Sequence, residues 1–287
     1  MKTSITKWSS LFFMVTLLGS LTGCSPDSTD EGNGITDSNL DAGFSVTPSD
    51  ASGNRYTLQA NPGGGFLGDS WDLGTGAGLF PGESVQEAFF PDAGTYQVTH
   101  QTAGRGGLPV TAVQTITVPT SDPEAGNRVI NGIFANGSTT GWTVLDISPS
   151  GASVTFSADG ATFIGTGYNQ KAIYQAIEIE AGESYKIDMK VSGPGSINTW
   201  LEVYASPQAP TPGADYTADG KRMGLSTWDG CATSLFSGQL SVVGCVGSGN
   251  EVTFPTSGTI YLLIKSGGDN IGGGPITVTN IEFRKVS

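Results

Sequence analysis

The run Thr199-Trp200-Leu201-Glu202-Val203-Tyr204 alternates apolar and polar residues with the period of a strand. With Leu201 and Val203 turned to a core, Trp200, Glu202 and Tyr204 project together from the opposite face. An exposed row of two aromatics around a carboxylate is costly without a partner. Its chemistry would be non-covalent: π-faces stack on the C–H groups of a pyranose, and polar groups at the rim bond its hydroxyls. The bland alternative is a loop or a neighbouring domain that covers the row. The same alternation turns Lys186, Asp188 and Lys190 outward in the run 185–191, and Tyr261 and Lys265 outward in the run 260–265, with Leu263 beside them. Trp228 stands in the polar loop Leu225-Ser226-Thr227-Trp228-Asp229-Gly230-Cys231, either as a stacking platform at a groove edge or as a plug for the end of the domain. The candidate ligand-binding set is therefore Trp200, Glu202, Tyr204, Trp228, Asp188, Lys190 and Tyr261. Tyr168 and Tyr216 are loop aromatics with less to single them out.

Catalysis has few carriers. One histidine, His100, excludes a multi-histidine metal centre, and nothing near it in sequence supplies a nucleophile. His100 reads as a solvent-facing strand residue rather than a base. Glu178 and Glu180 share a strand face but flank Ile177 and Ile179, the pattern of a solvated exterior. Retaining glycosidases place two carboxylates ~5–5.5 Å apart, in β-sandwich enzymes commonly as Glu-x-Asp-x-x-Glu along one strand, and no such run occurs. No catalytic set is expected, and the chain reads as a non-enzyme.

Around these residues the chain is rich in glycine, with 43 of 287 residues, and poor in charge, at 14% against a typical ~25%. Its hydrophobic fraction of 37% can fill cores, which argues against disorder. The net charge of −13 repels phosphate backbones, so nucleic acid is not an expected partner.

Lys2 and Lys7 precede the apolar run 11–18, too short for a permanent membrane span and flanked as a secretory signal is. The run ends in Leu21-Thr22-Gly23-Cys24, which resembles the lipobox of bacterial lipoproteins, in which the cysteine is acylated. The resemblance implies a leader over 1–24 and a lipid anchor at Cys24. Residues 25–39 are polar, with Asp27, Asp30 and Glu31 close behind the cysteine, and read as a flexible acidic tether. An acidic stretch there also resembles the surface-export signal of Bacteroidota lipoproteins, which places the chain on the outer face of the outer membrane. In an exported chain the remaining even pair, Cys231 and Cys245, is economically read as a structural disulfide.

Beyond Cys24 no window holds a helical period. Short alternating runs separated by Gly, Pro, Asn and Asp predict an all-β chain of two sandwiches. The stretch 40–119 suits an immunoglobulin-like domain, in which Asp92-Ala93-Gly94-Thr95-Tyr96 has the form of a tyrosine corner. Ser70-Trp71-Asp72-Leu73-Gly74-Thr75-Gly76 resembles the Trp-Asp-Phe-Gly-Asp-Gly signature of polycystic-kidney-disease (PKD) domains, with Thr75 in place of the second Asp. Trp71 then belongs to the core. A short joint, 120–126, leads to a unit over 127–287 of jelly-roll size.

That second unit opens with Asn131-Gly132-Ile133-Phe134 and Gly141-Trp142, continues through Tyr174-Gln175-Ala176-Ile177 and Ala181-Gly182-Glu183-Ser184-Tyr185, and closes with Val278-Thr279-Asn280-Ile281-Glu282-Phe283. This ordered set resembles carbohydrate-binding modules of families four, nine and twenty-two, and puts Trp142 in the core. Where members carry Glu after Asn-Gly-x-Phe and Asp in the last strand, often near a structural calcium, this chain has Ala135 and Asn280. No other cofactor is expected. The whole layout resembles surface glycan-binding lipoproteins of Sus-type uptake systems. The resemblance implies a polysaccharide ligand, most simply a neutral β-glucan such as laminarin, and as partners a TonB-dependent transporter with its SusD-like companion. Rival readings are a jelly-roll glycoside hydrolase and an adhesive lipoprotein without glycan specificity.

Overall fold

The computed structural model describes residues 39–286, apart from 62, 64, 65, 106 and 271–273. The leader with Cys24, and the tether as far as residue 38, lie outside the described residues. The first seven strands are β1 (Phe44–Pro48), β2 (Arg55–Ala60), β3 (Phe66–Asp72), β4 (Phe80–Gly82), β5 (Val85–Phe89), β6 (Gly94–Gly104) and β7 (Val110–Val118). They pair as a three-stranded sheet, β1-β2-β5, and a four-stranded sheet, β4-β3-β6-β7, the antiparallel arrangement of an immunoglobulin-like sandwich.

Trp71 fills the space between these sheets and is fully buried. Phe44 meets it edge-on at 5.2 Å, and its indole N–H donates to the Glu83 carbonyl at 2.9 Å. A Cβ on the facing Gly82 would come within 2.5 Å of the indole, so that position has room only for glycine. The expected tyrosine corner is present, with the Tyr96 hydroxyl donating to the Asp92 carbonyl at 2.8 Å. His100 does not face solvent as the sequence reading had it. It lies two residues beyond the buried Val98 on the inward face of β6, is 1% exposed, and stacks on Trp71 with centroids 4.2 Å apart. Its Nδ1 lies 2.7 Å from the Ala42 carbonyl and its Nε2 3.2 Å from the buried Asp69 carboxylate, so both ring nitrogens face groups inside the fold.

The remaining strands are β8 (Thr143–Leu145), β9 (Ala152–Ser157), β10 (Gly160–Ile179), β11 (Ser184–Gly193), β12 (Ile197–Ser206), β13 (Met223–Ser226), β14 (Phe236–Gln239), β15 (Glu251–Thr253), β16 (Gly258–Asn270) and β17 (Ile276–Lys285). The 20-residue β10 belongs to two layers. Its residues 160–165 pair with β9 and β17, and its residues 169–179 pair with β16. One layer runs β13-β12-β16-β10-β8; the other is built on β10-β17-β11, with β14 and β15 on the far side of β11. This is a jelly-roll sandwich. Leu201, Val203, Leu262 and Ile264 of the first layer meet Ile187, Met189, Val278 and Phe283 of the second in one apolar core. Trp142 closes that core against Phe134, with ring centroids 5.5 Å apart.

The joint is held from both sides. Asn54 Nδ2 donates to the Thr120 carbonyl, the Asp122 amide to the Pro91 carbonyl, and the Ala93 amide to the Ser121 hydroxyl oxygen. Arg284 on β17 grips Asp92, beside the tyrosine corner, through both guanidinium nitrogens at 3.0 and 2.5 Å.

Candidate functional site

The alternation read from the sequence of β12 holds: Leu201 and Val203 are fully buried in the core, and Trp200, Glu202 and Tyr204 take the outer face of the first layer. The register sets their neighbours. Gln170, Gly267, Trp200 and Ser226 form one row across β10, β16, β12 and β13; Ala172, Lys265, Glu202 and Gly224 form the next. Gly267 matters to Trp200. A Cβ there would lie 3.0 Å from indole Cζ2, so the missing side chain leaves the space toward which the indole leans. Lys265 Nζ sits 5.1 Å from the Trp200 ring centroid and 5.1 Å from that of Tyr204, a cation held against two π-faces.

A wall borders these rows. Residues 207–221 leave β12 and cross the sheet as far as Asp146, whose carbonyl accepts the Gly213 amide at 2.8 Å. On the way Asp215 pairs with Lys265 at 2.6 Å, and Tyr216 stands edge-on to Tyr204 at 5.8 Å. Between wall and sheet lies a groove of 550 Å³ lined by Tyr168, Gln170, Trp200, Glu202, Lys221 and Lys265, with Asp215 at the wall. Aromatic and polar groups thus converge in one concave place.

The polar groups there are already oriented. Glu202 binds Lys221 at 2.5 Å and Lys265 at 3.5 Å, and accepts the Tyr204 hydroxyl at 2.6 Å. Burial pushes the Glu202 carboxyl up, but hydrogen bonds from Lys221 and Tyr204 and the charges of Lys265 and Lys221 outweigh it and hold the group below the ordinary glutamate value. Burial first, and then the Glu202 carboxylate, push the Tyr204 phenol up, so it remains a donor. Two ammonium groups face two carboxylates, and the groove has no net charge. Because the folded-state value of Glu202 is depressed, its contribution to stability is complete above the ordinary glutamate value and disappears as pH falls through the depressed one. Glu202→Gln should therefore flatten the acid limb of a stability-versus-pH curve. An acid limb identical to that of the unsubstituted protein would mean the network is not formed.

Tyr204 also borders the groove, but it is only 3% exposed, covered by Tyr216 in a small cluster with Leu145, Ile147 and Leu263. Other members of the expected set go elsewhere. Asp188 and Lys190 do not reach the groove, because β11 belongs to the other layer. Alternation gives the face of a strand, not which of two sheets holds it. Asp188 is buried and accepts the Met189 amide and both the amide and the hydroxyl of Ser241. Tyr261 lies two rows beyond Glu202, edge-on to Tyr174 at 6.0 Å, and does not line the groove. Trp228, in the turn Thr227–Asp229, is 55% exposed and so plugs nothing, but it is not a groove residue either. Gln170, Asp215 and Lys221 were missed; the last two sit in the wall, where no periodicity marks them.

Cys231 and Cys245 form the expected disulfide, which ties the Trp228 turn to the segment after the short helix Leu240–Val243. A structural calcium does not fit the residues at Ala135 and Asn280. Ala135 brings no side-chain oxygen, and the carboxylates nearby, Asp92 and Glu282, are both paired with Arg284. Asn127 joins the strand ends instead, donating to the Ile281 carbonyl and accepting the Val129 and Phe283 amides.

Neither a protein-family model nor a curated protein matches the chain. Among solved structures, one described as showing the promiscuous specificity of carbohydrate-binding modules from the β-sandwich superfamily is 16% identical, covers 85% of this chain and 96% of its own, and has a TM-score of 0.31. A family-four carbohydrate-binding module is 14% identical over 55% of this chain and 99% of its own, with a TM-score of 0.30. A family-sixty-one module solved with β-1,4-galactotriose is 12% identical over 56% and 99%, with a TM-score of 0.29. At these scores the matches weigh neither for nor against a ligand, and function has to be read from the side chains.

Proposed function

We propose that the chain is a non-catalytic glycan-binding protein whose C-terminal sandwich takes a neutral polysaccharide in the groove over β12 and β16. The carrying observation is Trp200: its indole leans over Gly267 and remains half-buried, beside hydrogen-bonding groups already fixed by one another. A stacking surface next to preoriented donors and acceptors suits a pyranose chain, because little entropy is lost in ordering the site. The cancelled charges favour a neutral ligand over a uronate or sulfated one, and a β-glucan such as laminarin is the reading taken here. With the leader and Cys24 as read from the sequence, the protein is anchored by lipid at the outer-membrane surface. Its first sandwich, PKD-like by its Trp71 motif, is the spacer that holds the groove away from the membrane. Handover to a TonB-dependent transporter with a SusD-like companion completes this reading.

Glu202 and Asp215 both touch Lys265, so the groove holds a pair of carboxylates, the number that a glycosidase uses. Such an enzyme needs one of them protonated at the start. Glu202 is held below its ordinary value, and Asp215 is ion-paired with Lys265. Affinity electrophoresis through gels containing laminarin, a mannan, a galactan and a uronic-acid polymer tests the binding reading: retardation by laminarin is expected, and migration unchanged in every gel would reject it. Prolonged incubation with laminarin should release no reducing ends. Release that stops on Glu202→Gln would make the protein an enzyme.

A further inference from the structure

Tyr168 is placed in a way the fold does not explain. It lies where the pairing of β10 with β16 slips between Thr166 and Asn169, and its backbone is left-handed at φ 60°, directly after Gly167 at φ 64°. Bulky residues avoid that region, and glycine would occupy it at lower energy. The residue is 66% exposed, and among the described residues it has no hydrogen-bond, ionic or ring partner. The chain therefore keeps a large aromatic in a disfavoured conformation and leaves most of it facing solvent. Strain of this kind collects at ligand sites. Tyr168 also lines the groove that contains Trp200.

Two residues on, Gln170 carries a second unexplained feature. It occupies the same cross-strand row as Gly267 and Trp200, yet its amide Oε1 is buried and, among the described residues, accepts no hydrogen bond. Such an acceptor is unusual in a folded chain and is open to a donor that the fold does not supply.

We propose that Tyr168 and Gln170 form the second wall of the site: Tyr168 stacks a sugar ring across β16 from Trp200, and the Gln170 amide, after a rotation of its side chain, accepts a hydroxyl of that sugar. Stacking on an aromatic needs a pyranose face of C–H groups, so two rings select sugars whose hydroxyls are equatorial. This assignment rests on the glycan reading of the groove. It implies an unusual pair of signs. Tyr168→Gly should weaken binding while leaving the protein as stable or more so, whereas a residue kept for packing would lose both together.

The test compares the unsubstituted protein, Tyr168→Gly, Tyr168→Phe and Trp200→Ala by laminarin affinity electrophoresis and thermal melting. Tyr168→Gly is expected to weaken binding roughly tenfold, with a melting temperature unchanged or raised by about one to three degrees. Tyr168→Phe, which keeps the ring, should bind normally. If Trp200→Ala loses laminarin while Tyr168→Gly binds it normally, the groove stands and the second wall is wrong. A melting temperature lowered by Tyr168→Gly would also overturn the assignment, since the ring would then serve the fold. If Trp200→Ala binds as the unsubstituted protein does, or neither the unsubstituted protein nor any variant is retarded, the glycan reading of the groove falls and takes the Tyr168 assignment with it.

Discussion

Trp200→Ala is expected to lose laminarin retardation while the protein stays folded. Truncating a stacked aromatic at the centre of a site commonly costs ~2 kcal/mol or more, which is roughly 30-fold in affinity. The fold should survive because the indole lies on the outer face of β12, while Leu201 and Val203 on its other side hold the core. The floor beneath also persists without it: Glu202 keeps Lys221, Lys265 and the Tyr204 hydroxyl, and Asp215 keeps Lys265. Affinity electrophoresis with a parallel urea titration separates the two outcomes. Normal binding would remove Trp200 from the site, and a midpoint shifted as far as a core truncation shifts it would make it a structural residue.

Trp142→Ala should do the opposite. Trp142 is 7% exposed, packs on Phe134 in the main core, and donates its indole N–H to the Asn131 carbonyl at 3.2 Å. Losing the ring removes that packing and leaves a cavity, at a cost of about 3–5 kcal/mol. The lost hydrogen bond unties the Asn131 turn, whose left-handed backbone leads into the equally left-handed Phe134. Urea denaturation followed by far-ultraviolet dichroism measures the loss. Binding by whatever fraction remains folded should be normal, because the groove is on the other side of the first layer. A midpoint within ~0.5 kcal/mol of the unsubstituted protein would remove Trp142 from the core.

The sequence of β12 was legible because both faces are specified there. Leu201 and Val203 must go inward, which fixes where Trp200, Glu202 and Tyr204 point. The same rule turns His100 inward, since it follows the buried Val98 by two on the same strand, although its polarity suggests solvent. Period fails where the question is not which face but which sheet: Asp188 and Lys190 point outward as read, on the layer opposite the groove. It fails again in the wall. Residues 207–221 have no regular structure, so nothing in their spacing announces that Asp215 would reach Lys265 or that Tyr216 would cover Tyr204. Tyr168 was visible only as a loop aromatic, because a register slip in β10 and a left-handed backbone emerge from pairing with β16 rather than from local sequence. The tyrosine corner and the disulfide, by contrast, depend on few residues and were readable from them.

The indole N–H groups report the central claim directly. In a ¹⁵N-labelled sample titrated with laminarin oligosaccharides, the resonance of Trp200, assigned by its disappearance in Trp200→Phe, should shift progressively and saturate. Those of Trp71 and Trp142, whose N–H groups are bound to the Glu83 and Asn131 carbonyls inside the two cores, should stay in place. A Trp200 resonance that holds its position at laminarin concentrations retarding the protein in a gel would contradict the account, because the sugar would then be binding somewhere other than this groove.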